Sequence, residues 1–258
     1  MARATLSLVV PVYNEEARLP GLLDGVEDAA RQCSEAGLRL VELVVVDDGS
    51  TDRTAELLST HAEREPLVTA AFMLENRGKG AVVAEGVRRA RGELVLITDV
   101  DMSTPLSELG KLHRPLTEGF DLAIGSRSLE RALVERSRYR DVMSRAYNAL
   151  VRMLTGLPHR DTQCGFKLVP TELARALLSE QLIERYAFDV ETLLKARAAG
   201  LSVAEVPVRW VQDEDSRVTP LPTAVRMALD TVWIVYQLRW RRAPEVRSRP
   251  PIWARSRS

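Results

Sequence analysis

The chain alternates between short apolar runs and longer stretches in which apolar side chains recur at three- and four-residue steps. The first pattern is typical of buried strands and the second of helices that bury one face. We predict strands at Leu6–Val12, Glu42–Asp47, Leu67–Leu74, Leu94–Thr98, Asp121–Gly125 and Ser202–Val208. We predict helices at Ala17–Ala36, Asp52–Glu63, Lys79–Ala90, Ser137–Leu154, Ala187–Ala199 and Thr223–Trp240. This alternation predicts an α/β fold with a mostly parallel central sheet and flanking helices.

The last predicted helix differs from the others, because its apolar residues include Trp233 and Tyr236 and it leads into an arginine-rich end. From Arg239 to Ser258, seven arginines stand against one glutamate. We therefore predict one domain over residues 1–222, followed by an amphipathic helix and basic tail over residues 223–258. Such a segment can lie on an anionic membrane surface. The alternative is that the helix packs on the domain and the tail is unstructured.

Composition limits the classes of partner and compartment. The 36 basic and 36 acidic side chains cancel, so no general electrostatic attraction to nucleic acid is predicted. Two cysteines form no disulfide framework, which suits a reducing compartment. The first apolar run is interrupted by Pro11, so we predict neither a signal peptide nor a membrane-spanning segment. The expected location is cytoplasmic, with a peripheral position on the cytoplasmic face of the membrane as an option.

The strongest chemical signal is the pair of Asp99 and Asp101, directly after the apolar run Leu94–Ile97. Two carboxylates at this spacing can converge on one hard divalent cation, which is commonly shared with substrate phosphates. A surface turn would explain most isolated pairs of this kind. Here, polar residues also follow two other predicted strands, at Tyr13–Glu16 and Asp47–Ser50. Because the carboxyl ends of parallel strands meet at one edge of a sheet, the sequence predicts a nucleotide site there.

Six ordered motifs carry a resemblance to a known family. The first three are Pro-Val-Tyr-Asn-Glu-Glu at 11–16, Asp-Asp-Gly-Ser-Thr-Asp at 47–52 and Asp-Val-Asp at 99–101. They resemble the inverting nucleotide-sugar glycosyltransferases of family 2, which have the GT-A fold. The later three are Gly125–Arg127, Asp161–Lys167 and Arg185–Glu191, and they resemble the dolichyl-phosphate glucosyltransferase branch. The resemblance runs from about Thr5 to about Asp230, and it implies an enzyme that transfers glucose from UDP-glucose to a polyprenyl or dolichyl monophosphate.

The resemblance also implies a metal site. Asp101 is the first choice of ligand for Mg²⁺ or Mn²⁺, and Asp99 is expected to hold the same ion or the ribose of the donor. Polyprenyl-phosphate mannose enzymes have a glutamine two residues beyond the motif, where this chain has Ser103. A water or the serine hydroxyl is expected to substitute for it.

Further residues are implied on the donor side. Pro11, Tyr13 and Glu15 are expected to line the nucleoside pocket, and Asp48 to reach the edge of the base. Lys79 is a candidate contact to the phosphate or sugar of the donor. It lies in a glycine-rich segment that lacks the P-loop pattern, and a solvated basic turn is the alternative.

On the acceptor side, Arg127 is the best candidate to bind a phosphate group, because a guanidinium can do so bidentately. Asp161 and Gln163 are expected to contact hexose hydroxyls. Asp189 is either a general base for a hydroxyl acceptor or the N-cap of a helix, and a phosphate acceptor needs no base. Further positive charge is expected from Arg138 and Arg145, although arginines on helices are commonly solvated. Arg217 matches the position of a Ser-Lys or Ser-Arg pair in the resembled family, which implies that it binds a phosphate from a loop, and the acidic run at 213–215 weakens that implication.

Alternatives to this reaction remain open at the level of sequence. One is a soluble family member that uses GDP-mannose or a UDP-N-acetylhexosamine as donor, or a hydroxyl compound as acceptor. Another is a non-catalytic protein that binds nucleotide sugars, which the intact Asp-x-Asp motif disfavours. Three histidines without ligand spacing predict no zinc site, and the sequence indicates no oligomeric state.

Overall fold

A computed structural model describes residues 3–130, 134–135, 138–211 and 220–240. The strands are β1 (Thr5–Val12), β2 (Arg39–Asp47), β3 (Val68–Phe72), β4 (Leu94–Ile97), β5 (Leu122–Ser126), β6 (Val134–Glu135), β7 (Lys167–Pro170), β8 (Val203–Pro207) and β9 (Trp210–Val211). The α-helices are α1 (Leu19–Asp24), α2 (Val26–Glu35), α3 (Thr54–Ala62), α4 (Lys79–Arg89), α5 (Leu109–Glu118), α6 (Arg138–Thr155), α7 (Thr171–Leu178), α8 (Phe188–Ala198) and α9 (Pro220–Trp240). A 3-10 turn at Leu106–Glu108 precedes α5.

Seven of these strands form the central sheet, in the order β3-β2-β1-β4-β7-β5-β8. Neighbouring strands are parallel except at β7, which runs antiparallel to both β4 and β5. The predicted α/β fold with a mostly parallel sheet is therefore confirmed. The strands β6 and β9 pair separately, as a short parallel ladder.

The sheet is covered by helices on both faces, which explains why its inner strands are almost continuously apolar. Successive side chains of a strand point to opposite faces, so Leu8 and Val10 join one core cluster while Val9 joins the other. Helices α1, α2 and α5 contribute to the first cluster, and α4 and α7 to the second. This packing holds the ends of the strands at fixed positions.

Several elements differ from the prediction, and β6 and β9 are among those that were not predicted. The predicted helix Ala17–Ala36 is two helices, α1 and α2, which meet at Gly25. Glycine costs about 1 kcal/mol relative to alanine inside a helix, which favours an interruption at this residue. The helices α5 and α7 and the strand β7 were not predicted, and β7 occupies the middle of the sheet.

Helix α9 confirms the helix predicted at Thr223–Trp240 and has two different faces. Ile234 is fully buried, in a cluster that includes Val151 of α6 and Val190 of α8. The opposite face exposes an apolar stripe, which consists of Val225, Leu229, Val232, Trp233 and Tyr236. The helix thus packs on the domain with one face and presents apolar side chains on the other.

The basic tail lies in residues 241–258, outside the described residues, and the division between residues 222 and 223 stays a prediction. Across the described ranges, no helix is both long enough and apolar enough to cross a bilayer.

Candidate active site

Most of the predicted site residues converge on one edge of the sheet. The parallel register places the ends of β1 and β2 side by side, with Val12 opposite Asp47. The start of the antiparallel β7 lies at the same edge, because Lys167 pairs with Ile97 of β4 and Ile124 of β5. The polar residues that follow β1, β2, β4 and β5 therefore lie along the same edge of the sheet as Lys167.

The loops after β1 and β2 are linked to each other by hydrogen bonds. The Asn14 amide donates to Ser50 Oγ at 2.8 Å, and Asn14 Oδ1 accepts from the Thr51 amide at 2.8 Å. Asn14 has a φ of 55°, a left-handed conformation that asparagine tolerates better than most residues. Asp47 accepts hydrogen bonds from both the amide and the hydroxyl of Ser50, so its carboxylate holds the turn after β2.

This linked pair of loops presents three of the residues predicted for the nucleoside pocket. Tyr13 is 42% exposed, and Pro11, near the end of β1, is half-buried. Glu15 forms an ion pair with Arg18 at 2.8 Å. The exposed ring of Tyr13 is available for stacking, whereas the carboxylate of Glu15 is already partly neutralised.

Asp48 ties the end of β2 to the glycine-rich segment before α4. Its two carboxylate oxygens accept hydrogen bonds from the amides of Arg77 and Gly78, each at 2.8 Å. Burial raises the pKa of Asp48, and the two amides oppose this shift. Gly49, with a φ of 69°, allows the backbone of Glu75 to approach within 2.9 Å of the position that a Cβ would occupy. Because both oxygens of Asp48 face the chain's own amides, its contact with a base stays a prediction.

Lys79 begins α4 and reaches the first carboxylate of the Asp-x-Asp motif. Its Nζ lies 2.5 Å from Asp99 Oδ1, and the side chain of Asp99 is 41% exposed. Burial raises the pKa of Asp99, but the positive charges of Lys79, Lys167 and Arg127 outweigh it and hold the pKa below its ordinary value. The backbone of Gly165 lies directly against this carboxylate, since a Cβ there would overlap Asp99 Oδ2. Lys79 is therefore paired with the Asp-x-Asp motif rather than solvated, and its contact with the donor stays a prediction.

Asp101 is more open to solvent than Asp99. Its Oδ1 accepts a hydrogen bond from the Ser103 amide at 3.0 Å. Loss of hydration and the negative charge of Asp99 raise the pKa of Asp101, which the Ser103 amide opposes. A divalent cation at this position would remove the repulsion between the two carboxylates.

The donor atoms at this position suit a hard divalent cation. No group of three or more histidine, cysteine, aspartate or glutamate side chains is arranged to hold a metal within the described ranges. Two carboxylates alone leave most coordination positions for water and ligand phosphate, which is the usual arrangement for Mg²⁺ bound with a nucleotide. Asp99 and Asp101 thus fit an ion that is bound together with a diphosphate.

Arg127 follows β5 and forms a buried pair with Asp161. Its Nε and Nη2 atoms donate to the two carboxylate oxygens at 2.7 and 2.9 Å, and its own amide donates to Asp161 Oδ2 at 2.9 Å. Burial opposes ionisation of Asp161, but the guanidinium outweighs it and lowers the pKa to about 2. Glu205 of β8 supports this pair, because it accepts from Ser126 Oγ and from the Asp161 amide, each at 2.8 Å. Asp161 is therefore held as an anion that orients Arg127.

A second buried ion pair joins Lys167 and Asp189. Lys167 Nζ lies 2.9 Å from Asp189 Oδ1 and also donates to the carbonyl oxygen of Cys164. Burial raises the pKa of Asp189, and the charges of Lys167 and Lys79 oppose that rise. The N-cap of α8 is Ala187, so the interpretation of Asp189 as the N-cap is wrong. Lys167 was not predicted as a site residue, although a lysine at the start of an apolar strand is a signal that it needs a partner.

Gln163 carries an unpaired polar group in the described structure. Its Nε2 atom is buried, and no hydrogen-bond partner lies within the described ranges. An unpaired buried donor costs about 1–3 kcal/mol, so a ligand that accepts from it would recover that free energy. The position agrees with the predicted contact to a hexose hydroxyl, which stays a prediction.

None of the other three arginines predicted for the acceptor side is seen at the site within the described residues. Arg145 pairs with Asp141 at 2.9 Å along α6, as a solvated helix arginine would. The side chain of Arg138 and the whole of Arg217 lie outside the described residues. A residue that was not predicted, Trp210, stands against Arg127, whose Cζ atom lies 5.6 Å from the centre of the indole ring.

Comparison with known proteins identifies relatives of high similarity. The family model described as "Glycosyl transferase family 2" matches residues 7–178. The chain is 34% identical over 242 residues to a dolichyl-phosphate beta-glucosyltransferase of Dictyostelium discoideum, an alignment that covers 90% of this chain and 74% of the relative. It is 36% identical over 240 residues to the Mus musculus protein of the same name, covering 89% and 74%.

Solved structures show the same fold at lower identity. One is glucosyl-3-phosphoglycerate synthase from Mycobacterium tuberculosis in complex with Mn²⁺, UDP-glucose and phosphoglyceric acid, with 21% identity, a TM-score of 0.62, and 91% and 79% coverage of the two chains. Another is a mannosyltransferase from Pyrobaculum calidifontis in complex with GDP-mannose and Mn²⁺, with 19% identity, a TM-score of 0.54, and 99% and 79% coverage. The predicted GT-A fold is confirmed.

Proposed function

Since the chain belongs to glycosyl transferase family 2, we propose that it transfers glucose from UDP-glucose to a polyprenyl or dolichyl monophosphate with inversion at the anomeric carbon. The observation that carries the proposal is the pairing of two groups at one sheet edge. The open carboxylates of Asp99 and Asp101 follow β4, and the oriented guanidinium of Arg127 follows β5. The first group suits a cation bound with a nucleotide diphosphate, and the second suits an anionic acceptor.

On the donor side, Asp99 and Asp101 would hold Mg²⁺ or Mn²⁺, which when bound offsets the negative charge that develops on the leaving diphosphate. Tyr13, exposed after β1, would stack on the base of the nucleotide. Lys79 stands beside Asp99, where it can donate to a phosphate oxygen of the donor. Glucose rather than another hexose is supported by the two dolichyl-phosphate beta-glucosyltransferases that are 34% and 36% identical to this chain over the aligned residues.

On the acceptor side, a phosphate oxygen attacks the anomeric carbon while the bond from that carbon to the UDP oxygen breaks. The bonding electrons leave with the diphosphate, and no proton has to be removed from the phosphate. Asp189 agrees with this chemistry, because its carboxylate is buried and paired with Lys167 instead of being open as a base. The ion pair therefore favours a phosphate over a hydroxyl acceptor.

A lipid acceptor requires access to a membrane, and α9 provides a surface for it. The exposed stripe of Val225, Leu229, Val232, Trp233 and Tyr236 would enter the interface between lipid head groups and acyl chains. The arginines of residues 239–258 would add attraction to anionic lipids. We place the enzyme peripherally on the cytoplasmic face of the membrane.

The experiment that tests the function measures UDP release from UDP-glucose with Mn²⁺ and polyprenyl phosphate in detergent. We expect release that depends on the lipid phosphate and that falls at least 100-fold in Asp101→Asn. The matched control is Asp28→Asn, which changes an exposed aspartate of α2 that pairs with Arg31 and should leave release unchanged.

Other outcomes point to other reactions. Nucleotide release only with GDP-mannose or a UDP-N-acetylhexosamine would show that the donor is not UDP-glucose. Nucleotide release only with a hydroxyl compound would show that the acceptor is not a lipid phosphate. A protein that binds UDP-glucose but releases UDP with none of these acceptors would contradict the proposal and favour a binding protein.

A further inference from the structure

The short strand β9 places an indole ring against the guanidinium of Arg127. We propose that Trp210 is a positioning residue, which holds Arg127 in the orientation that binds the phosphate of the acceptor. This inference rests on the proposed function only for the identity of the acceptor, since the geometry of Arg127 is independent of it. Trp210 does not belong to any of the six motifs from which the site was predicted.

The hydrogen bonds of Arg127 define which of its donors can face a ligand. A guanidinium carries five N–H groups in one plane. Asp161 accepts from Nε and from Nη2, which uses one edge of that plane. The other edge, formed by Nη1 and the second N–H of Nη2, donates to no acceptor in the described ranges of the chain. That edge is a two-pronged donor of the kind that binds phosphate oxygens bidentately.

Two restraints are needed to aim this edge. The bidentate contact with Asp161 fixes the guanidinium along one edge, but the plane can still tilt about that edge. The Cζ atom of Arg127 lies over the indole ring of Trp210, 5.6 Å from the ring centre, and this contact opposes the tilt. The side chain of Arg127 keeps 17% of its surface exposed, so a ligand can still reach it.

Trp210 is itself held by the segment that follows the metal motif. The neighbouring Val211 amide donates to the carbonyl oxygen of Ser103 at 2.9 Å, and the Arg209 amide donates to Glu108 Oε2 at 3.0 Å. On its other side, Trp210 pairs in register with Val134 of β6. These three attachments within three consecutive residues fix the stretch of backbone that carries the indole.

The test compares Trp210→Phe with Trp210→Leu. Phenylalanine retains an aromatic face, whereas leucine has none. We expect Trp210→Leu to raise the KM for polyprenyl phosphate between about twofold and about thirtyfold, the range of a cation–π contact. In Trp210→Leu, the KM for UDP-glucose should stay within about twofold of the wild-type value, and the melting temperature should stay within about 2 °C of that of the wild type. Trp210→Phe should keep a KM for polyprenyl phosphate close to that of the wild type. The control is Phe120→Leu, which changes an exposed aromatic residue at the opposite edge of the sheet and should leave this KM unchanged.

A second measurement separates this inference from the proposed reaction. Inorganic phosphate serves as a probe of the guanidinium, with binding followed by ³¹P line broadening in wild type, Trp210→Leu, Trp210→Phe and Arg127→Gln. We expect binding that is lost in Arg127→Gln, weakened in Trp210→Leu and restored in Trp210→Phe. If phosphate binding follows this order while the wild type shows no turnover with lipid phosphate, the inference about Trp210 stands and the proposed acceptor is wrong. Equal phosphate affinity in wild type and Trp210→Leu, a phenylalanine variant as weak as leucine, or phosphate binding that does not depend on Arg127 would each overturn the inference.

Discussion

The pair of Arg127 and Asp161 places a full negative and a full positive charge where Asp161 has no exposed surface. Taking these charges out of water is costly, and their bidentate contact offsets that cost only while both are present. Removing one partner of such a pair typically destabilises a protein by about 3–5 kcal/mol. The pair therefore links the stability of the fold to the charge that is proposed to bind the acceptor.

This link predicts a dependence of stability on pH. The pKa of Asp161 falls from 3.8 to about 2 on folding, so the native state holds its proton less tightly than the unfolded state. The contribution to the free energy of unfolding, about 2 kcal/mol, is present above about pH 4 and is lost as the pH falls through about 2. Urea denaturation of wild type at about pH 7, 4, 3 and 2 measures it.

The Asp161→Asn variant should lack this component and show a shallower decline between pH 4 and pH 2. If it does not fold, the double variant Arg127→Met, Asp161→Asn leaves no unpaired charge and serves the same comparison. Stability curves of wild type and variant that stay parallel across this range would show that Asp161 is not held ionised by Arg127.

At the scale of elements, α9 combines a buried side and an exposed side in one helix. Ile234 has no exposed surface and packs with α6 and α8, whereas Val232, two residues earlier, is 52% exposed. We expect Ile234→Ala to lower the free energy of unfolding by about 2–4 kcal/mol, because it removes buried methyl groups and leaves a cavity. Val232→Ala should change it by less than about 0.5 kcal/mol.

Denaturant unfolding of the two alanine variants gives both numbers. Equal, small effects would mean that α9 does not pack on the domain in solution. The residue 222/223 division would then mark a real structural boundary rather than a change of surface chemistry.

Elements with strong local patterns were predictable from the sequence. The strands β1, β2 and β4 are buried apolar runs, and the polar residues at their ends predicted the candidate site at Asp99 and Asp101. The strand β7 was not predictable, because it has four residues, begins with a lysine and ends with a proline. Lys167 can be buried only because Asp189, from a helix later in the chain, meets it in space. The partnership of Trp210 with Arg127 is equally non-local.

At the scale of the whole molecule, the formal net charge is zero, yet the last twenty residues carry seven arginines and one glutamate. Each basic residue near an anionic membrane contributes about 1 kcal/mol of attraction. We expect deletion of residues 239–258 to weaken binding to phosphatidylserine-containing vesicles at least tenfold, and binding by the full chain to fall as salt rises. Vesicle sedimentation measures both effects.

The exposed stripe can be tested in the same assay with a matched pair of leucines. Leu229→Ser changes the stripe, and Leu74→Ser changes an exposed leucine between β3 and α4. Only the first should reduce vesicle binding. If neither the deletion nor Leu229→Ser alters sedimentation, the membrane surface proposed for α9 is wrong.

The position of β7 also sets a length. Neighbouring strands of a sheet lie about 4.8 Å apart, so one strand inserted between β4 and β5 separates their ends by about 10 Å. Under the proposed reaction, the diphosphate is held beyond β4 and the acceptor phosphate beyond β5, on opposite sides of the sugar. The insertion of β7, whose first residue is Lys167, therefore sets the distance between the donor and acceptor phosphate sites to one that a single pyranose ring can span.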